Sequence, residues 1–193
     1  MSAAAPARRV AGLVLAAGAG TRRGGPKALA ADEGGPWLTR AVALLRDAGC
    51  DPVTVVLGAA PEAADLLEPD DAVRVVVAQD WAQGQSASLR AGLEALAGTD
   101  VAAALVALVD LPDLRAEVAA RVVLRCSGPG SLARASFLGT PGHPVLLGRE
   151  HWAGVLDVAT GDAGARPYLR AHPPVLVECG DLATGVDDDG PPR

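Results

Sequence analysis

Val10-Ala11-Gly12-Leu13-Val14-Leu15-Ala16-Ala17, followed at once by Gly18-Ala19-Gly20-Thr21-Arg22-Arg23-Gly24-Gly25-Pro26-Lys27, decides how this sequence is read. The first eight residues are apolar without alternation, the pattern of a strand buried on both faces of a sheet. The second stretch is a loop of glycines interleaved with cations. Glycine lets backbone N–H groups approach phosphate oxygens closely, and cations add charge where the phosphate sits. Two common phosphate-binding motifs do not fit. Gly18, Gly20 and Gly24 are one residue too widely spaced for G-x-G-x-x-G, and no acid ends the strand that closes Val55-Val56-Leu57-Gly58. Pro26 precedes Lys27 and Ala28 follows it, so the Gly-Lys-Ser/Thr of a P-loop is absent as well.

Outward from that loop, strands and helices alternate. Further strands are expected at Pro52 to Leu57, Val73 to Val77, Val101 to Val109 and Pro174 to Glu178. Ser131 to Leu138 and Pro144 to Leu147 read as two strands around a Gly139-Thr140-Pro141-Gly142 turn. Helices are expected from Pro36 to Ala48, closed by Gly49, at Pro61 to Leu67, and from Ser86 to Leu96 with Ser86 as N-cap. Others are expected at Leu114 to Cys126, Trp152 to Leu156 and Ala165 to Ala171. This order predicts a single α/β domain over residues 1–193 with a largely parallel sheet, its ends (1–9 and 190–193) flexible. Ligands of such sheets sit outside the carboxyl ends of the strands. The loop after the first strand, Gly84 to Arg90 after the third, and Asp110 after the fourth all fall there.

Composition narrows the function. The net charge of the 193 residues is −6 with no basic stripe, which disfavours nucleic acid as a partner. No apolar run is long enough to span a membrane, and a signal peptide's basic and long apolar regions are missing. A cytoplasmic protein is the expectation. Cys50, Cys126 and Cys179 are odd in number and widely spaced, as reduced buried thiols would be. Of 17 basic residues, Lys27 is the one lysine and the other 16 are arginine. A compact point charge has been kept at the end of the glycine loop in a chain that otherwise uses the planar fork of arginine.

The loop resembles the L-A-A-G-x-G-x-R-x-G-x-P-K signature of the nucleotidyltransferases that include sugar-phosphate and molybdenum cofactor enzymes. Gly84-Gln85-Ser86-Ala87-Ser88-Leu89-Arg90-Ala91-Gly92 is similar to the G-x-S-x-S-L-R-x-G segment of the molybdenum cofactor cytidylyltransferase-like branch. Asp110-Leu111-Pro112 resembles its D-x-P, Gly142-His143-Pro144-Val145 its G-H-P-V, and Gly161-Asp162-Ala163-Gly164-Ala165-Arg166 its G-D-x-G-A-R. Asp187-Asp188-Asp189-Gly190-Pro191 resembles a D-x-D-T-P. Ala78 stands where the family often has Asn, Ala87 where it often has a third serine, and Gly190 where it has Thr.

The resemblance implies a three-layer, Rossmann-like nucleotidyltransferase fold with a mixed, mostly parallel sheet. It implies transfer of CMP from CTP to the phosphate of molybdopterin, with Mg²⁺ as cofactor and pyrophosphate as leaving group. Lys27, Arg22 and Asp110 are then the catalytic residues. Leu15, Ala16, Ala17, Gly18, Gly20, Thr21, Arg22, Lys27, Gly84, Ser86 and Ser88 bind the nucleotide. Asp110, with Asp189 or Asp187, binds the metal, and His143, Asp162 and Arg166 bind the acceptor. Plainer readings stand beside these. Asp110 can be a helix N-terminal acid, His143 a turn residue, Asp162 and Arg166 an i,i+4 ion pair, and Asp187 to Asp189 a solvated tail. Guanylyl transfer, sugar-phosphate nucleotidyl transfer, and non-catalytic carriage of the cofactor to a molybdoenzyme are the alternative functions.

Overall fold

The computed structural model describes residues 9–21 and 23–188. Arg22 and Asp189, both singled out above, lie outside the described residues. In chain order the elements begin with β1 (Val10–Ala16), β2 (Ala31–Asp32), β3 (Gly35–Pro36) and α1 (Trp37–Asp47). There follow β4 (Val53–Leu57), β5 (Val73–Val77), α2 (Gln85–Leu96), β6 (Ala103–Leu108) and α3 (Ala116–Val123). The chain continues with β7 (Leu132–Phe137), β8 (Thr140–Gly148), α4 (Arg149–Val158), α5 (Arg166–Ala171) and β9 (Val175–Glu178). The segment Pro61–Leu66, expected as a helix, is a 3₁₀ turn.

Seven strands form one sheet in the order β5-β4-β1-β6-β8-β7-β9, and β2 with β3 makes a separate ribbon. β5, β4, β1 and β6 run parallel, β8 is antiparallel to both β6 and β7, and β9 is parallel to β7. β1 and β4 are buried along their whole length, as their unbroken apolar runs require of central parallel strands. Alternate residues of β1 feed two cores. Val10, Val14 and Ala16 join Leu38, Val42 and Leu45 of α1 and Val118, Ala119 and Val122 of α3. Ala11, Leu13 and Leu15 join Leu89, Leu93 and Leu96 of α2, Trp152 and Val155 of α4, and Leu169 of α5. The fold is therefore helix layer, mixed and mostly parallel sheet, helix layer.

Local chemistry sets the ends of these elements. α1 closes with Gly49 at φ 87°, Gly49 N–H on Arg46 O at 2.8 Å and Cys50 N–H on Leu45 O at 3.0 Å, the paired bonds that satisfy the last helical carbonyls. α2 comes close to β1 because residue 92 is glycine: a Cβ there would sit 2.4 Å from Leu13 Cδ1. Ser86 is not the N-cap of α2. Gly84 holds that position with φ 109°, and no side chain of the capping residue bonds the helix. Arg9, expected in a loose end, is tied to Asp51 at 3.0 Å and Asp100 at 2.7 Å. All three cysteines are buried free thiols, and burial pushes Cys50 up to about 12.

The hairpin between β7 and β8 turns earlier than the sequence suggests. Phe137 pairs with Thr140 and Ser136 with Pro141, so the turn is Leu138-Gly139 alone. Both residues have positive φ, 51° and 81°, as in the tight hairpin turns whose twist matches that of the strands. Glu178, at the end of β9, clamps this turn. Its carboxylate accepts Leu138 N–H at 2.8 Å, Gly139 N–H at 3.1 Å, Gly180 N–H at 2.9 Å and the Ser136 hydroxyl at 2.9 Å. The backbone N–H groups of Gly180, Leu138 and Gly139, then the serine, hold the Glu178 carboxyl down at about 2, against an ordinary 4.5.

A carboxyl depressed by folding stabilises the fold above its unfolded pKa, and that contribution is lost as pH falls through the folded one. The Glu178→Gln variant should therefore be less stable than wild type above pH 4.5 and lose less stability between about 4.5 and 2. Urea unfolding followed by circular dichroism across that window checks it. An unchanged slope would mean that the carboxylate is not the clamp.

Candidate active site

The glycine loop leaves β1 at the carboxyl edge of the sheet. Ala17 O accepts Ala59 N–H at 3.0 Å, which fixes the start of the loop to the end of β4. The loop then folds onto Gly20, whose carbonyl accepts the N–H groups of Arg23, Gly24 and Gly25 at 3.0 to 3.2 Å. Gly20 has φ +59°, and a Cβ on it would lie 1.9 Å from Gly25 O, so no other residue fits. The N–H groups of residues 23 to 25 are thus spent internally. Those of Gly18, Ala19, Gly20 and Thr21 have no backbone acceptor among the described residues and remain for a ligand. Leu15, Ala16 and Ala17 are buried behind them.

Arg23 does not face this ligand space. It is 9% exposed, stacks on the Trp37 ring at 4.2 Å and pairs with Asp188 Oδ1 at 3.1 Å. Trp37 is itself held by Asp32, which takes its Nε1–H at 2.8 Å and both outer nitrogens of Arg40 at 2.7 Å. The ribbon β2–β3 is where Asp32 sits, so this small element braces the loop from behind.

Lys27 closes the loop on Asp110, just past the end of β6. Its Nζ lies 2.6 Å from Asp110 Oδ2, with side-chain exposures of 18% and 13%. Asp110 Oδ1 is buried and has no hydrogen-bond partner among the described residues. The C-terminal segment passes alongside: Asp188 N–H donates to Asp110 O at 3.0 Å, and Thr184 donates both its N–H and its hydroxyl to Asp113 Oδ2 at 2.6 Å. Among the described residues of the aspartate run, Asp188 passes beside Asp110 through its backbone, whereas Asp187 is exposed. An unpartnered buried carboxylate oxygen fits a divalent cation. No group of three or more His, Cys, Asp or Glu gathers among the described residues. A cation here would complete its shell from substrate oxygens and water, the habit of Mg²⁺ in phosphate sites.

The serine motif and the G-D-x-G-A-R motif meet each other. A Cβ on Gly84 would fall 2.5 Å from Gly161 C and 2.6 Å from Asp162 Oδ1, so the two segments touch through bare backbone. Gln85 N–H donates to Asp162 Oδ1 at 3.3 Å, and Gly164 N–H to Ser86 Oγ at 3.1 Å. Ser86 Oγ accepts from Gly164, and the Asp162 carboxylate accepts from the first turn of α2, whose N–H groups lack intrahelical acceptors. Ser88 is buried on the inner face of α2. Arg166 makes no ion pair with Asp162; its Nε and Nη2 donate to Ala163 O at 3.1 Å and Asp162 O at 2.6 Å.

His143 lies on β8, in the sheet rather than in a turn. Burial, reinforced by the charges of Arg134 and Arg166, pulls it from 6.5 to about 4, so it is neutral at physiological pH. Arg134, which the sequence reading passed over, is half-buried on β7 and donates Nε and Nη2 to Gly142 O at 3.1 and 2.9 Å. Arg134 pairs with Val145 on the sheet face covered by α2, α4 and α5, and its guanidinium reaches the backbone just before His143 through Gly142 O.

Comparison with known proteins agrees with this architecture. The chain is 37% identical to nicotine blue oxidoreductase of Paenarthrobacter nicotinovorans over 190 residues, 93% of this chain and 92% of that one. Rv0371c of Mycobacterium tuberculosis superposes with a TM-score of 0.76 at 26% identity, covering 94% of this chain and 93% of that one. Another structure of Rv0371c, complexed with manganese, gives a TM-score of 0.73 at 25% identity over 94% and 95% of the two chains. A nucleotidyl transferase of Methanothermobacter, 22% identical with a TM-score of 0.76 over 94% and 92%, has the same fold. Residues 12–175 match the MobA-like NTP transferase domain, and the chain belongs to that family.

Proposed function

We propose that this protein transfers CMP from CTP to the phosphate of a molybdopterin-type acceptor in a Mg²⁺-dependent reaction. The observation that carries it is the convergence at one sheet edge of vacant loop N–H groups, Lys27, and an Asp110 oxygen without a partner. In the reaction an oxygen of the acceptor phosphate forms a bond to the α-phosphorus of CTP. The bridging α–β P–O bond breaks, and its electron pair leaves with pyrophosphate. A phosphate monoester has its second pKa near ~6 and is already largely dianionic at neutral pH, so no strong general base is required. Neutral His143 is consistent with that economy.

The work left to the protein is positioning and charge neutralisation. The N–H groups of Gly18 to Thr21 would hold the triphosphate, and Lys27 would steady the charge that builds on the departing pyrophosphate. Asp110, with Asp188 or Asp189, would hold a divalent cation. When bound, that cation neutralises phosphate oxygens and aligns the α-phosphate with the incoming one. The buried Ala17, its carbonyl fixed by Ala59, leaves a narrow wall where the base would lie, which suits cytosine better than guanine.

The 37% identical relative supports a second reading, an oxidoreductase acting on nicotine blue. A pyrophosphate-release screen of CTP, GTP, ATP and UTP with molybdenum cofactor as acceptor separates the two. It is run beside an assay for oxidation or reduction of nicotine blue. Pyrophosphate release with CTP supports transfer. Turnover of nicotine blue without pyrophosphate release from any triphosphate would overturn it. In competition at equal concentration, CTP should be preferred over GTP by roughly 10- to 100-fold, the ~1 to 3 kcal/mol that steric fit achieves. A dominant GMP product would show that the wall at Ala17 does not select the base.

Lys27→Ala should lower turnover by on the order of 10²-fold or more, as loss of one preorganised phosphate contact does. Near-normal turnover at saturating CTP would remove Lys27 from the mechanism. Chelation of divalent cations should abolish turnover, with recovery on adding Mg²⁺. Activity that survives the chelator would mean that Asp110 does not serve a metal.

A further inference from the structure

Between the end of β9 and Asp188 the chain forms a strap along the carboxyl edge of the sheet. Cys179 N–H on Ser136 O at 2.8 Å starts it, and Arg121 fixes that start with bonds to Asp181 at 2.7 and 3.0 Å. Leu182 and Ala183 pack on the core beneath, and Gly185 passes Phe137 so closely that a Cβ on it would lie 2.1 Å from the ring. Thr184 donates both its N–H and its hydroxyl to one atom, Asp113 Oδ2, each at 2.6 Å. The strap then meets the glycine loop. Asp188 N–H reaches Asp110 O at 3.0 Å, and the Asp188 carboxylate takes Arg23 Nη1 at 3.1 Å.

Asp113 is not a helix cap. α3 begins at Ala116 with Arg115 as its N-cap, and among the described residues the Asp113 carboxylate bonds Thr184 alone. Its other oxygen, Oδ1, is buried without a hydrogen-bond partner, which costs stability that an acid in water would not forfeit. From Asp113 the contacts run in series. Thr184 stands four residues before Asp188, and Asp188 holds Arg23. Arg23 lies over Trp37 at 4.2 Å and donates its backbone N–H to Gly20 O at 3.0 Å. Gly20 O is the point on which the loop folds, and that fold fixes the backbone of Gly18 to Thr21, whose N–H groups remain for a ligand.

We propose that Asp113 is a positioning residue for nucleotide binding: it latches the strap, and through Asp188 and Arg23 the strap holds the glycine loop in the shape that receives a triphosphate. The inference rests on the reading of that loop as a phosphate cradle. It gives Asp113 no contact with substrate or metal. What the latch requires is an oxygen at the Oδ2 position, so asparagine serves there and alanine does not.

Trypsin reads the latch without any nucleotide, because the loop offers a cleavage site after Arg23. Cleavage there, followed by mass spectrometry, should be roughly 10-fold faster or more in Asp113→Ala and close to wild type in Asp113→Asn. Thr184→Val keeps one of the two bonds and should fall between. Cleavage after Arg149, whose guanidinium is tied to the carbonyls of Ala97, Thr99 and Val101, should not change. CTP affinity, measured by calorimetry, should fall roughly 10-fold in Asp113→Ala, the scale of a lost charge-assisted hydrogen bond, and recover in Asp113→Asn. In an Arg23→Met background Asp113→Ala should weaken CTP little further, since contacts in series do not add. Circular dichroism identifies a variant that fails to fold; Arg23→Lys then replaces Arg23→Met, and Thr184→Val, at an exposed residue, replaces Asp113→Ala. Equal cleavage after Arg23 in Asp113→Ala and wild type would overturn the latch, as would a parallel rise after Arg149. Faster cleavage with unchanged CTP affinity would overturn the positioning role. If wild type binds no triphosphate, the proposed transfer falls with that role, and cleavage after Arg23 still decides the latch.

Discussion

Lys27 and Asp110 face each other across 2.6 Å at the carboxyl edge of the sheet, and the arrangement of the whole site follows from that pair. Lys27 ends the loop that leaves β1, and Asp110 follows β6, the neighbour of β1 in the sheet. The pair therefore closes the glycine loop against the strand beside it. Both groups are largely shielded, so removing one partner costs more than the ~0 to 1 kcal/mol of an exposed pair, though less than the ~3 to 5 of a fully buried one. What it holds is a balance of charge. In the absence of ligand the ammonium offsets the carboxylate. A triphosphate with its cation would present a negative group to Lys27 and a positive one to Asp110, so each charge exchanges one partner for another. The second Asp110 oxygen, buried without a partner, marks the side from which that exchange would start.

The reversed strand makes the second half of the site possible. A sheet with every strand parallel would present only strand ends and the loops after them at this edge. Because β8 runs against β6, its first residues, Thr140 to His143, arrive at the edge where β6 and β1 finish. The tight Leu138-Gly139 turn then carries the chain back from β7, which brings Arg134 alongside. Glu178 fixes that turn from β9 with four hydrogen bonds to groups of neighbouring segments. One carboxylate thus sets the position of the hairpin that bears Arg134 and His143.

Much of the fold is legible in the sequence because its signals are local and strong. Unbroken apolar runs at Val10 to Ala16 and Val53 to Leu57 can be satisfied only in the middle of a sheet, and Gly49 ends α1 by the only conformation that closes its carbonyls. The glycine loop is legible too, since few roles other than phosphate binding explain that mixture of glycine and cation. Other features depend on partners distant in sequence. Arg134 sits in an alternating strand, where an arginine reads as a solvent-facing residue; only the pairing of β7 with β8 gives it a neighbour, Gly142 O. Three consecutive aspartates cannot rank themselves in sequence; the structure shows only that the backbone of Asp188 bonds to Asp110 O. The turn at Leu138 was missed because a leucine at positive φ is costly, and the clamp by Glu178 that enforces it lies 40 residues away.

The G-D-x-G-A-R segment holds two neighbouring groups at once. Its aspartate accepts the Gln85 N–H that opens α2, the helix that carries Ser86 and Ser88, and Gly164 N–H donates to Ser86 Oγ. Its arginine, four residues on, is oriented by the carbonyl of that same aspartate. Asp162 thus holds the first turn of α2 with its side chain and the Arg166 guanidinium with its backbone. The spacing within the motif is what that dual attachment demands: two glycines at positive φ, Gly161 and Gly164, bend the backbone tightly enough for both contacts to come from a single turn.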